Sequence, residues 1–202
     1  MYCILVTGIP AAGKSTAAEF LSDRLNLPMI SKDKIKECLF DTVGFTSRDE
    51  KVKLGSGSME IIYYMAGQLM KKGQPFILEN NFEHASTEGL RQLLVKYSYT
   101  AVTVVLTGDF SAIYQRFLER DKNPGRHRGH VVNDRYPEIE PWGKAGTVLS
   151  YESFVEGIHN RGMDNFCANG PCIAVDTTDY SKVDWIGLVE KLHQLTEELV
   201  HD

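Results

Sequence analysis

Eight residues near the start of the chain, Gly8-Ile9-Pro10-Ala11-Ala12-Gly13-Lys14-Ser15, constrain its fold more than any other feature. They match G-x-x-x-x-G-K-[S/T], a loop whose backbone N–H groups wrap phosphate oxygens when it joins a strand to a helix. The flanks supply that context. Residues 2–7 are a short apolar, β-prone run, and in 15–26 Ala18, Leu21 and Leu25 recur at helical spacing. The two glycines permit the turn, and Lys14 adds a point charge for the β- and γ-phosphates. The Ser15 hydroxyl suits a magnesium ion, and Thr16 can donate to the α-phosphate from the first helical turn. ATP with Mg2+ is therefore the expected ligand of residues 8–16.

Apolar runs return at 75–78 and 101–106, and more weakly at 29–30 and 172–175, with helical segments between them. This alternation predicts an α/β fold with a parallel sheet covered by helices. Ser47-Arg48-Asp49-Glu50 and Ser181-Lys182-Val183-Asp184 read as helix starts, and Lys72-Gly73 as a helix stop. Between residues 121 and 146 the periodicity gives way to Pro, Gly, His and Arg, and an irregular stretch of that length in a compact domain is usually functional. A mobile lid is expected there, within one domain spanning 1–202.

A hydrophobic content of 43% can build a core without disulfides or a structural metal. Cys3, Cys38, Cys167 and Cys172 are scattered, which predicts reduced thiols and a cytoplasmic protein. The first residues lack a basic region, and no stretch approaches the ~20 apolar residues of a membrane span, so neither export nor membrane insertion is expected. A net charge of −5 provides no field to hold duplex DNA.

Other phosphate-loop classes fit less well. Asp41-Thr42-Val43-Gly44 has the form DxxG of a GTPase, but Asp41 follows a helical stretch (35–40) instead of a strand, and Ser181 stands where a guanine-reading asparagine would be needed. A ring-forming ATPase would need a further helical domain, whereas one helix, 182–200, is expected after the last strand. His127-x-x-His130 with Cys167 and Cys172 lacks the framework of a zinc site.

The segments GIPAAGKST, ISKDKIK, FILENN, RFLERDKNPGRHR and AVDTT occur in one order along the chain. In these it resembles the small P-loop phosphotransferases that include the polynucleotide kinase domain, chloramphenicol phosphotransferase and zeta toxins; residues 129–170 match nothing in that pattern. The resemblance implies a three-layer fold of about five parallel strands in the order 2-3-1-4-5, and transfer of phosphate from ATP to a hydroxyl. It places Asp33 where the family's aspartate contacts the acceptor hydroxyl. A carboxylate there can orient the hydroxyl and accept its proton; the alternative is an acid that only charges the first turn of a helix capped by Ser31. Lys36, one turn on, faces either the same pocket or solvent.

Glu79 ends an apolar strand, where it can hold a magnesium-bound water, and Asn80 and Asn81 can hydrogen-bond substrate without adding charge. Asp109 reads as a helix cap. Arg116 and Arg120 share a helical face and lead into Arg126 and Arg128, so the lid can deliver guanidinium groups to the moving phosphoryl group; a solvated basic helix end is the other possibility. Met59, Tyr63, Tyr64 and Phe82 lie near the segments that should frame the acceptor, but aromatics at helical spacing are more often core. The acceptor is left open among a nucleic-acid 5′ hydroxyl, a nucleotide-sugar or antibiotic hydroxyl, and a small metabolite. The rival class is an ATP-binding regulator with no acceptor, for which an acid at Asp33 has no use.

Overall fold

The computed structural model describes residues 1–139 and 148–201; residues 140–146 of the expected lid lie outside them. Five strands, β1 (Tyr2–Gly8), β2 (Met29–Ser31), β3 (Ile77–Glu79), β4 (Thr100–Thr107) and β5 (Cys172–Asp176), form one sheet in the order β2-β3-β1-β4-β5. All four pairings are parallel. The helices are α1 (Lys14–Leu25), α2 (Lys32–Thr42), α3 (Arg48–Lys71), α4 (His84–Tyr97), α5 (Phe110–Arg120), α6 (Arg128–Val131), α7 (Tyr151–Arg161) and α8 (Trp185–His201). This is the α/β fold expected from the sequence pattern, in the three layers and the strand order that the family resemblance implied.

The two helical layers follow from the period of two along β1. Ile4 and Val6 point to one face and pack with Ala17, Leu21, Ile113, Ile158 and Leu192 from α1, α5, α7 and α8. Cys3 and Leu5 point to the other, against Ile62 and Met70 of α3 and Leu90 and Leu94 of α4. Because helices cover both faces, β1 and β4 are apolar almost throughout. Cys3 behaves as a small hydrophobe, its thiol pushed up to about 12 by burial.

Local signals set most element ends. Ser47 caps α3 by accepting from the Glu50 amide at 3.2 Å. Gly73, with φ of 65°, follows the end of that helix. The second expected start is displaced: Asp179 engages the Ser181 amide and hydroxyl, leaving Ser181 in a short 3-10 turn. Asp184 caps α8 instead, accepting from the Gly187 amide at 2.9 Å. Helix α7 lies in the stretch with no recognised pattern, capped by Ser150 and buried through Phe154 and Ile158.

The cysteine expectation needs correction. Cys167 and Cys172 are joined by a disulfide. Between them Asn169 is pinned to β4, accepting from the Ala101 amide and donating to the Tyr99 carbonyl, so the chain turns and the two thiols meet.

The described part of the expected lid is anchored to α2 and α3. Phe40, Phe45 and Val132 form a small apolar cluster, and Phe45 and Tyr136 make an antiparallel bridge. The buried Lys51 ammonium donates to the carbonyls of His130 and Val132 and to the Asn133 side chain. Among the described residues no helix is long and apolar enough to cross a membrane.

Candidate active site

The strand order reverses at β1, which lies between β3 and β4, and such a switch opens a crevice beyond the carboxyl ends of the strands. The loop from Gly8 to the start of α1 borders that crevice. Gly8 has φ of 132° and a Cβ there would come within 2.0 Å of the Leu106 carbonyl oxygen; Gly13 has φ of 91° and a Cβ there would meet the Tyr180 ring at 2.3 Å. Both positions therefore demand glycine. Gly13 offers no side-chain cap, so the first amides of α1 remain for an anion. Lys14 is 8% exposed, and its Nζ donates to the Ile9 carbonyl at 2.9 Å. Burial lowers its pKa to about 8; Glu79 and Asp33 oppose that shift, while Arg120 and Lys32 add to it.

A cavity of about 300 Å³ lies against this loop, with Lys14, Ser15 and Thr16 on one side, Asp33 and Glu79 on another, and Arg116, Arg120 and Arg126 closing it. Arg116 is fixed by donating to the Thr177 carbonyl at 2.7 Å. The Nε atoms of Arg116 and Arg126 are buried and have no hydrogen-bond partner among the described residues. Asp121 accepts from Arg120 at 3.2 Å and lies 3.7 Å from the Arg126 Nε, so one carboxylate faces two of the three arginines; guanidinium groups in that excess beside a buried lysine make a site that fits a polyanion.

Glu79, 3% exposed at the end of β3, accepts from the Ser31 hydroxyl at 2.6 Å. Burial raises its pKa against the opposing pull of Lys14 and that hydrogen bond. Asp33 is also pushed upward by burial, yet surrounding cations leave it net below the usual carboxylate range. Of these, His130 acts only when protonated, and burial lowers its own pKa to about 4. At neutral pH Lys32, Lys14 and Arg126 therefore keep Asp33 ionised. For magnesium, Ser15 and Glu79 supply hard oxygens in the same cavity, and so few protein ligands suit an ion that keeps waters and phosphate oxygens in its shell.

A second cavity, of about 520 Å³, opens beside the first between α2, α3 and the start of α4, and is lined by Lys36, Met59, Tyr63 and Asn80. Lys32 and Asn80 of this cavity adjoin Asp33 and Glu79 of the first in the chain, and Lys36 lies one helical turn beyond Asp33. Asn81 lines neither cavity, its backbone carbonyl accepting from the Thr7 hydroxyl at 2.9 Å. Phe82 is wholly buried and Tyr64 is exposed. Asp109 caps α5, accepting from the Ala112 amide at 2.8 Å.

Arg128 is a correction. It does not line the phosphate cavity; Glu138 holds its guanidinium in a two-pronged pair at 2.8 and 2.6 Å. His127 pairs with Asp41 and His130 with Glu37, so the histidines serve α2. No sequence pattern marks Tyr180, which covers Gly13, or the buried Lys51. Tyr180 meets the loop across 167 positions, and no local spacing signals such a contact.

Fold and site together define a nucleotide-binding protein with the architecture of P-loop kinases. Residues 4–142 match the family model described as the AAA domain, and the chain belongs to that family. Among solved structures it is similar to a presumed kinase from Chloroflexus aurantiacus J-10-fl, with 29% identity, a TM-score of 0.78, and 96% of this chain and 97% of that one covered. It is also similar to a gluconokinase from Sinorhizobium meliloti 1021 (14% identity, TM-score 0.55, 99% and 96% covered). A shikimate kinase from Bacteroides thetaiotaomicron is comparable (15% identity, TM-score 0.53, 97% and 98% covered). No curated protein gives a significant match.

Proposed function

We propose that this protein transfers the γ-phosphoryl group of ATP to a hydroxyl group of an acceptor held in the second cavity. The observation that carries this is the placement of Asp33 on the wall of the phosphate cavity, facing Lys14 and three arginines, with a separate cavity opening beside it. The acceptor oxygen forms a bond to the γ-phosphorus as the bond to the β–γ bridging oxygen breaks, and ADP leaves with that electron pair. The acceptor proton passes to the Asp33 carboxylate, which is ionised beforehand. Lys14 and the amides at the start of α1 hold the phosphates, while Arg120 and Arg126 meet charge that spreads over the moving group. Ser15 and Glu79 would hold magnesium, which supplies neutralisation of phosphate charge when bound. The likeness of GIPAAGKST, ISKDKIK and FILENN to polynucleotide kinase, chloramphenicol phosphotransferase and zeta toxin segments supports a hydroxyl as the accepting group. The kinase neighbours support the same class of reaction.

The test is a broad acceptor screen with labelled ATP, read by mass spectrometry. Labelled phosphate on a hydroxyl compound supports transfer; ATP binding with no labelled product across the screen favours a regulator. With an acceptor in hand, Arg120→Ala and Arg126→Ala should each lower the transfer rate by about 10²-fold or more with little change in ATP affinity, since contacts made in the transition state raise kcat. Arg128→Ala should stay near wild type, because its partner is Glu138. Single-turnover rates set beside calorimetric affinities check both expectations. Equal losses in all three variants would mean that the arginines act through the fold of the segment.

A further inference from the structure

The second cavity is lined by Lys32 and Lys36 and by Glu60 and Glu83, yet its inner lysine is left unpaired among the described residues. Lys36 is half-buried there on α2, and its ammonium makes no hydrogen bond or ion pair among the described residues, resting over the Phe40 ring at 5.3 Å. Three other cations, Lys32, Arg48 and Arg126, act on it electrostatically, against the single carboxylate of Asp33. The acids nearby do not offset this. Glu83 is paired with Arg161 at 3.3 Å, Glu37 with Lys34 and His130, and Glu60 sits exposed at the rim.

Gly55 of α3 adds a second observation. A Cβ at that position would stand 3.3 Å from the Lys36 ammonium. Glycine inside a helix is disfavoured relative to alanine, and here its missing side chain lets α3 come close to the ammonium at the wall of the cavity. Asn80 supplies amide donors and an acceptor at the same cavity and is engaged only weakly, through a 3.4 Å contact to the Met59 sulfur. A half-buried cation whose contact is an aromatic face, next to a weakly engaged side-chain amide, suits a ligand that is both anionic and hydroxylated. The volume, about 520 Å³, is that of a small-molecule site.

Resting on the phosphotransferase proposal, we infer that the acceptor is a small polyhydroxylated molecule bearing a carboxylate or phosphate, with Lys36 binding that anion and Asn80 the hydroxyls. The anion lies on the Lys36 side and a hydroxyl reaches Asp33, one helical turn away. Binding at Lys36 thus selects the molecule and orients the oxygen that attacks. A neutral polyol fills the space and leaves the cation without a counter-charge.

The experiment uses matched triplets as probes: glycerol, glycerate and glycerol phosphate; glucose, gluconate and glucose 6-phosphate. Transfer from ATP is followed by product mass, and binding by calorimetry in the presence of ADP. The wild-type protein should prefer charged members of a triplet, and the preference between carboxylate and phosphate identifies the anion. Lys36→Met should raise KM for the charged acceptor by about 10- to 100-fold, the loss of one charge-assisted contact, with ATP affinity unchanged and Lys36→Arg restoring part of the loss. Transfer only to neutral polyols, or to a 5′-hydroxyl oligonucleotide, would overturn the inference and leave the phosphotransferase standing. Lys36-dependent binding of the anions without any transfer would do the reverse. If none of the anions binds, the inference is overturned.

Discussion

Asp33→Asn is expected to lower single-turnover phosphoryl transfer by about 10²–10⁴-fold, the range typical for loss of a general base. The substitution keeps shape and hydrogen-bonding reach while removing the charge that takes the acceptor proton. Because Asp33 also supports the protonated forms of Lys14 and Lys36, its loss should lower both lysine pKa values further. ATP affinity should hold or rise slightly at pH 7, where a carboxylate near the phosphates is repulsive, and fall below wild type at alkaline pH. Calorimetry at two pH values together with rapid-quench transfer measurements checks both parts. A loss at the lower bound would indicate that Asp33 chiefly orients the hydroxyl, since a loose transition state places proton transfer late. Unchanged transfer with intact binding would remove Asp33 from the mechanism.

Lys14→Ala should abolish turnover and weaken ATP binding by about 10- to 100-fold, the loss of a charge-assisted contact of roughly 1.5–3 kcal/mol. The wild-type lysine also predicts a pH dependence. Its pKa is lowered to about 8, first by burial and then by Arg120 and Lys32, against Glu79 and Asp33. Bound phosphates favour the charged form, so the pKa in the complex lies above that in the free protein. Affinity should therefore be highest below pH 8 and decline as pH rises through it, and nucleotide binding near pH 9 should take up protons. Calorimetry in buffers of differing ionisation enthalpy measures that uptake, and Lys14→Ala should remove it. Wild-type-like kinetics in the variant would sink the role given to the loop.

Where a local pattern carried the information, the sequence was legible. The phosphate loop needs no distant partner to be recognised, because its glycines, lysine and serine are contiguous and its flanks show the periods of a strand and a helix. The apolar runs announced the strands, with β3 displaced to Ile77–Glu79, and Ser47, Asp109 and Gly73 marked helix ends through bonds to residues a few positions away. Helix α7 was within reach, since Phe154 and Ile158 keep helical spacing behind a serine cap.

What depended on long-range contact was not legible. Arg126 and Arg128 are equivalent by spacing, yet only the packing of the segment onto α2 and α3 turns one toward the phosphate cavity and ties the other to Glu138. The partnering of Cys167 with Cys172 required Asn169 to be pinned on β4. Lys36 read equally well as a surface lysine, and its place on the wall of the second cavity emerged only once α3 packed against α2. By itself, then, the sequence determined a phosphate-binding loop and the layered sheet around it, because contiguous residues encode both. The tertiary structure alone decided which charges converge on the cavities, because burial and pairing are properties of groups that meet from far apart in the chain.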